Sequence, residues 1–129
     1  LHGVAVKPGK PTILAVANGK PAFGLPGNPV SAMVIARILL LPTLHFLQGT
    51  RALDATMVSA RLTRNVASTA GREDHVPVRI LHRDGETLAE PVFGKSNLIF
   101  TLVRSDGSVT VPLNSNGLSQ GEIVDVRLY

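Results

Sequence analysis

Hydrophobic positions divide the chain into two unlike halves. In the first, from Leu1 to about Gly49, short apolar runs lead into one long one. Gly3 to Val6 and Thr12 to Ala17 read as strands, separated by Lys7-Pro8-Gly9-Lys10-Pro11. Asn18-Gly19, whose members both tolerate positive φ, predicts a hairpin turn with Ala22 to Leu25 as the returning strand. Asn28 is a good helix N-cap, and Pro29 suits the first helical position, where its missing N–H costs nothing. Val30 to Leu47 is then apolar on nearly every side, interrupted by Arg37, Pro42 and His45. This pattern predicts a helix through Leu41, bent or broken near Pro42. It also predicts a helix buried by neighbours on most sides rather than one that spans a membrane. About 49 residues cannot readily cover such a helix, so the first half reads as the tail of a larger α/β domain and the chain as a fragment.

A polar break, Gln48-Gly49-Thr50-Arg51, follows, with Gly49 placed as the helix terminator. The second half, from about Leu53 to Tyr129, changes to strand patterning. Ala55 to Leu62, Val76 to His82, Glu86 to Pro91, Ser108 to Val111 and Glu122 to Leu128 are the predicted strands. Asp84-Gly85, Asp106-Gly107 and Asn116-Gly117 supply turns between them, and Asn97 to Arg104 has room for one or two helical turns. Five short strands in this length predict a small β-barrel or sandwich. The expected fold class is therefore α/β followed by all-β, with domains at residues 1–49 and 53–129.

Composition sharpens the picture at a few points. Hydrophobic residues are 44% and charged residues 17%, which excludes disorder over most of the chain. Aromatics are only 4%, with no Trp, so the core must be aliphatic. The same scarcity argues against a nucleic-acid binder that stacks bases on aromatic platforms. Lys and Arg outnumber Asp and Glu by 13 to 9, a mild and scattered excess that suits a small anion as well as a polyanion. With no Cys, a disulfide framework, a thiolate zinc site and a cysteine nucleophile are excluded. No signal-peptide pattern leads the first strand. His2, His45, His75 and His82 have no metal-ligand spacing, so no metal site is expected. Arg61, Arg64, Arg79 and Arg83 read as a solvated sheet face.

The candidate chemistry is anion binding. Lys7 and Lys10 place two ammonium groups three positions apart in a loop shaped by two prolines and Gly9, although for the loop alone a solvated turn is the readier reading. The Pro26-Gly27-Asn28-Pro29 helix start offers N–H groups and the positive end of a helix dipole, with Ser31 at about the third helical position. Arg72 and Ser96 each follow a glycine in a loop, where backbone can approach a ligand, and a surface ion pair and a helix cap are their plainer readings. Glu73 and Asp74 are adjacent carboxylates, which normally diverge, and are not assigned as an acid/base pair.

These features together resemble the MoeA family. The resemblance rests on Val4-Ala5-Val6-Lys7-Pro8-Gly9-Lys10-Pro11 with Gly24-Leu25-Pro26-Gly27-Asn28-Pro29-Val30-Ser31. It continues through Gly71-Arg72, Gly94-Lys95-Ser96, Asp106-Gly107 and Gly121-Glu122-Ile123-Val124-Asp125-Val126. What the resemblance implies is a cytoplasmic homodimeric transferase of molybdenum cofactor biosynthesis. Such an enzyme inserts molybdate into adenylylated molybdopterin with release of AMP and uses Mg2+. Residues 1–49 would be the end of the family's MogA-like domain, and residues 53–129 its β-barrel domain four. Lys7, Lys10, Ser31, Arg72 and Ser96 would bind molybdate, and Gly9 with Pro26, Gly27, Asn28 and Pro29 would form the molybdopterin and phosphate loop. The family's pterin motif and its acidic catalytic and magnesium residues would lie upstream of Leu1, so no catalytic residue is expected here and this piece alone should be inactive. Neither a nucleic acid nor a membrane is an expected partner. The alternative is a scaffold or peptide-binding module of the gephyrin type, to be distinguished by an exposed apolar groove on the barrel.

Overall fold

The computed structural model describes residues 1–50, 55–94 and 100–129. In chain order they form β1 (Val6–Lys7), β2 (Ile13–Ala17), β3 (Lys20–Gly24), α1 (Pro29–Ile35), a π-helical turn (Ala36–Leu40) and α2 (Leu41–Leu47). There follow β4 (Met57–Leu62), β5 (Val66–Ala67), β6 (Glu73–Arg83), β7 (Glu86–Pro91), α3 (Phe100–Val103), β8 (Gly107–Val111), β9 (Gly117–Leu118) and β10 (Ile123–Leu128).

The strand half closes into a five-stranded barrel. Its order is β6-β7-β4-β10-β8, and β8 pairs back onto β6 from Asp74↔Val111 to Val78↔Gly107. All these pairings are antiparallel except β4 with β7. Alternation along each strand sends one set of side chains inward. Ala60 and Leu62, Val109 and Val111, and Val124 and Val126 form the core with Val66, Val78 and Ala89. That core is wholly aliphatic, as the shortage of aromatics requires. The predicted barrel strands are all present, each within a few residues of its expected limits. The hairpin turns at Asn18-Gly19 and Asp84-Gly85 both have positive φ at both residues.

The pair β5–β9 was not expected. Each strand has two residues, too few to display any alternation. Their approach is close: a Cβ built on Gly117 would lie 2.1 Å from the Val66 carbonyl oxygen, at φ +150°.

The first half departs from expectation in its sheet pairing, while its helix follows expectation in part. Its hairpin, β2–β3, forms a sheet of its own, while β1 leaves it and pairs in parallel with β6 of the barrel. The architecture of the chain is thus mostly β, a barrel with one long helix and a hairpin, rather than an α/β layer followed by a barrel. The helix does not break at Pro42, and the irregularity expected near that proline takes the form of the π turn over Ala36–Leu40. The helix runs from Pro29 to Leu47, with the Leu41 N–H bonded to the Ala36 carbonyl in the π turn. Proline lacks the N–H for a helical bond and its ring collides with the carbonyl four residues back. A widened turn just before it absorbs both defects. Finally, the helix is not enclosed among the described residues, in keeping with the expectation that about 49 residues cannot readily cover it. Only Val30, Ser31 and Ile35 are buried, while Met33, Leu41, Leu44, Phe46 and Leu47 are exposed. The reason is geometric, since one flank meets the barrel and nothing in the described residues covers the other. Gly49 does end the helix, with Gly49 N–H donating to Phe46 and Thr50 N–H to His45.

Gly117→Ala is expected to destabilise the fold by about 2 kcal/mol or more, through steric conflict added to backbone strain. Gly85→Ala, at φ +79° with nothing within 4 Å of the added methyl, is expected to cost about 1 kcal/mol. Chemical denaturation of the two variants checks the contrast, and equal losses would show that the Gly117–Val66 approach is looser than described.

Candidate oxyanion site

A cavity of about 340 Å³ opens where β1 and the helix start meet the barrel. Its volume falls within the range of small-molecule sites, about 300–1,000 Å³. Lys7, Lys10, Ser31 and Arg72 all line it, together with Asp74, His75 and Thr101. Four candidates scattered over 65 positions of sequence are thus brought to one place. Gly9 lines it too, whereas Pro26, Gly27, Asn28 and Pro29 do not. Ser96 and its neighbour Lys95 lie outside the described residues.

The lysine loop is held rigidly. The Gly9 carbonyl accepts from the Thr12 hydroxyl at 2.7 Å and from the Thr12 N–H at 3.2 Å, and Thr12 is fully buried. The Lys10 carbonyl accepts from Val4 N–H at 3.0 Å. Glycine suits position 9, where φ is +139° and a Cβ would stand 2.5 Å from Ile35 Cδ1. The loop therefore rests directly on the helix, and its two lysines are presented from a fixed backbone rather than from a mobile turn.

At the helix start, one expectation is corrected. The N–H groups there are not open to an anion, because Asn28 Oδ1 accepts from Val30 N–H at 3.1 Å and from Ser31 N–H at 3.3 Å. The cap that makes the helix start well formed also satisfies its donors. What the helix contributes to the cavity is the Ser31 side chain, which is buried and makes no hydrogen bond among the described residues.

Arg72 leads into β6 and is half-buried at the cavity wall. Alternation along β6 places Glu73 and His75 on one face and Asp74 on the other. Asp74 is almost wholly buried and accepts from Lys7 Nζ at 2.7 Å and from Ser68 Oγ at 3.0 Å. Neither Asp74 nor His75 was singled out from sequence. The acidic pair following Arg72 was the available signal, but the register Lys7↔Asp74 that gives it meaning is a tertiary fact.

Charge in the cavity balances in an informative way. Lys7, Lys10 and Arg72 are three cations and Asp74 is one carboxylate, which leaves a surplus of about two positive charges facing partly apolar walls such as Val34, Val66 and Val92. His75 adds none near neutrality. Burial is the largest influence on it and pushes its pKa below the ordinary 6.5, against the pull of Glu73. Glu73 Oε1 lies 2.9 Å from Nε2, yet Nε2 makes no hydrogen bond, so the approach is out of line and only partly offsets the desolvation. Such a cavity can hold a small dianion by three cationic side chains and two or more hydroxyls.

With this geometry in place, comparison with known proteins is decisive. Residues 59–129 match the family described as MoeA C-terminal region (domain IV). The chain belongs to the MoeA family. It is 34% identical over 115 residues to molybdopterin molybdenumtransferase 1 of Mycobacterium tuberculosis, covering 84% of this chain and 27% of that protein. To the molybdopterin molybdenumtransferase of Staphylococcus epidermidis it is 30% identical, over 97% of this chain and 30% of the relative. The crystal structure of a molybdopterin biosynthesis MoeA protein from Pyrococcus horikoshii superposes with a TM-score of 0.80 at 38% identity, covering 98% of this chain and 31% of that one. The chain spans less than a third of the length of these MoeA relatives.

The lowered pKa of His75 makes stability depend on pH. The folded state favours the neutral ring, so its contribution is complete above the unfolded value of 6.5 and is lost as pH falls through the lower folded value. Thermal unfolding of the wild type is expected to decline between about pH 7 and 5 more steeply than that of His75→Gln. Parallel profiles would show that His75 is not the group responsible.

Proposed function

We propose that this chain supplies the oxyanion-positioning part of a molybdenum-insertion enzyme. In the full protein, molybdate would be transferred to adenylylated molybdopterin with release of AMP. The observation that carries the reading is the convergence of Lys7, Lys10, Ser31 and Arg72 on one cavity with a surplus of two positive charges. Molybdate is a tetrahedral dianion and matches that surplus. Lys10 and Arg72 have no carboxylate partner among the described residues and supply charge, while the Ser31 hydroxyl supplies a directional donor. Lys7 supplies its remaining donors beside Asp74. Ser96, by resemblance, would complete the set.

The work done by these side chains is binding and orientation. Holding the oxyanion beside the attacking sulfur atoms of the organic substrate turns a bimolecular encounter into a positioned one. The ammonium and guanidinium groups stabilise oxygen charge as ligands exchange. Mg2+, implied by the family, does not fit the described residues, which contain no group of three or more His, Asp or Glu able to hold a metal ion. No step is therefore assigned to it here. A cytoplasmic homodimer, as the resemblance implies, is part of the same proposal.

A second reading has one observation in its favour. A cleft of about 360 Å³ lies between the helix and the barrel, lined by Met33, Val34, Arg37, Leu102, Val103 and Tyr129. An apolar groove of this kind suits a peptide-binding scaffold. Molybdate titration of the full native gene product separates the two, since a scaffold without the transferase role would leave molybdate unbound.

In that full protein, Lys10→Ala is expected to weaken molybdate binding about tenfold while leaving the melting temperature nearly unchanged. Arg72→Lys is expected to be impaired as well, because a point charge cannot reproduce a two-pronged donor. Calorimetric titration beside a thermal melt checks both. Loss of folding in step with binding would mean that the loop is only structural.

A further inference from the structure

A carboxylate inside an anion site works against the ligand, so its presence calls for a physical reason. Asp74 is 4% exposed. On one side its backbone is in register with Lys7 of β1, and on the other with Val111 of β8. Its Oδ2 accepts from Lys7 Nζ at 2.7 Å and from Ser68 Oγ at 3.0 Å. Ser68 is itself placed by its N–H, which donates to the Asn116 carbonyl at 2.8 Å. The Lys7 side chain is 50% exposed although its partner is buried. One end of the ion pair is thus anchored in the barrel while the ammonium reaches the cavity, with two of its three donors unspent among the described residues.

We propose that Asp74 is a positioning residue for the oxyanion site. Held by Ser68, it fixes the Lys7 ammonium at the cavity so that its remaining donors face the bound anion. This deepens the oxyanion reading and rests on it. A lysine has many rotamers, and a free one loses that freedom when it engages a ligand. Lys7 has surrendered it in advance, on folding, through Asp74. The two lysines of the loop then differ in kind, with Lys7 a fixed donor and Lys10 a mobile charge that closes on the ligand.

Simple electrostatics makes the opposite prediction, which gives the test its power. If Asp74 acts only as a nearby negative charge, Asp74→Asn should tighten anion binding. If it positions Lys7, the same change should weaken it. The experiment is calorimetric titration of molybdate into the full native gene product, comparing wild type with Asp74→Asn, Lys7→Ala, the double variant and Lys10→Ala. The expected result is about tenfold weaker binding for Asp74→Asn, with no further loss when it is added to Lys7→Ala. In Asp74→Asn the Lys7 ammonium 15N resonance should also lose the protection from exchange that the ion pair provides. Binding as tight as or tighter than wild type would overturn the proposal, as would an equal loss in the Lys7→Ala background. Should Asp74→Asn fail to fold, Ser68→Ala decides: about threefold weaker binding supports positioning, and unchanged affinity overturns it. Failure of the underlying reading looks different, because the wild type would then take up no molybdate and Lys10→Ala would change nothing.

Discussion

Two residues of parallel pairing join the helical half of this chain to its barrel. Val6 and Lys7 lie beside Glu73 and Asp74, and the Glu73 N–H donates to the Ala5 carbonyl at 2.8 Å. So short a ladder contributes little alone, and the Lys7–Asp74 ion pair reinforces it. A buried carboxylate is tolerable only when its lone pairs are used, although solvent screens the half-exposed Lys7 end of this pair. The Lys7 ammonium and the Ser68 hydroxyl meet that requirement. A second tether runs from the helix, where the Arg37 guanidinium donates to the Leu128 carbonyl and lies over the Tyr129 ring, 5.0 Å from its centroid. Between these two ties, the helix start and the lysine loop are held against the barrel, and the cavity is the space left between them.

The site's electrostatics follow from that arrangement. Three cations converge, one is paired with a buried carboxylate, and the buried histidine stays neutral because burial outweighs the attraction of Glu73. A cavity assembled from β1, the helix start and β6 can gather charge that no single loop of this chain could present at such density. It also sets the two lysines apart, since Lys7 is anchored to a buried acid while Lys10 has no carboxylate partner among the described residues.

Local chemistry made much of the fold legible. The Asn18-Gly19 and Asp84-Gly85 turns, the Asn28-Pro29 cap and the Gly49 stop each follow from backbone preferences of one or two residues, and each is found in place. The barrel strands announce themselves through alternation, in Val109 and Val111 or Val124 and Val126. Two-residue strands such as β5 and β9 announce nothing, because a period needs more than one repeat to be seen. The shape of the helix near Pro42 is only partly legible for a related reason. A proline reads as a break, while the π turn that accommodates it leaves no mark in composition. Burial of the helix is legible only as a demand, because an apolar sequence states what a surface would bury, not what is there to cover it.

The same division runs through the site. Side-chain chemistry taken with the family resemblance marks Lys7, Lys10, Ser31 and Arg72 as groups that seek an anion, since charge and hydroxyl donors are properties of residues. Their meeting depends on β1 leaving its own hairpin to pair with β6, a contact between residues 67 positions apart. Asp74 is the clearest instance. In sequence it is the second of two adjacent acids and carries no distinguishing sign. Only the closure of the barrel buries it, sets it in register with Lys7, and makes one carboxylate the point where a strand, a loop and the cavity wall meet. Chain-local preferences are written in the residues themselves, whereas burial and register arise from which distant segments share a surface.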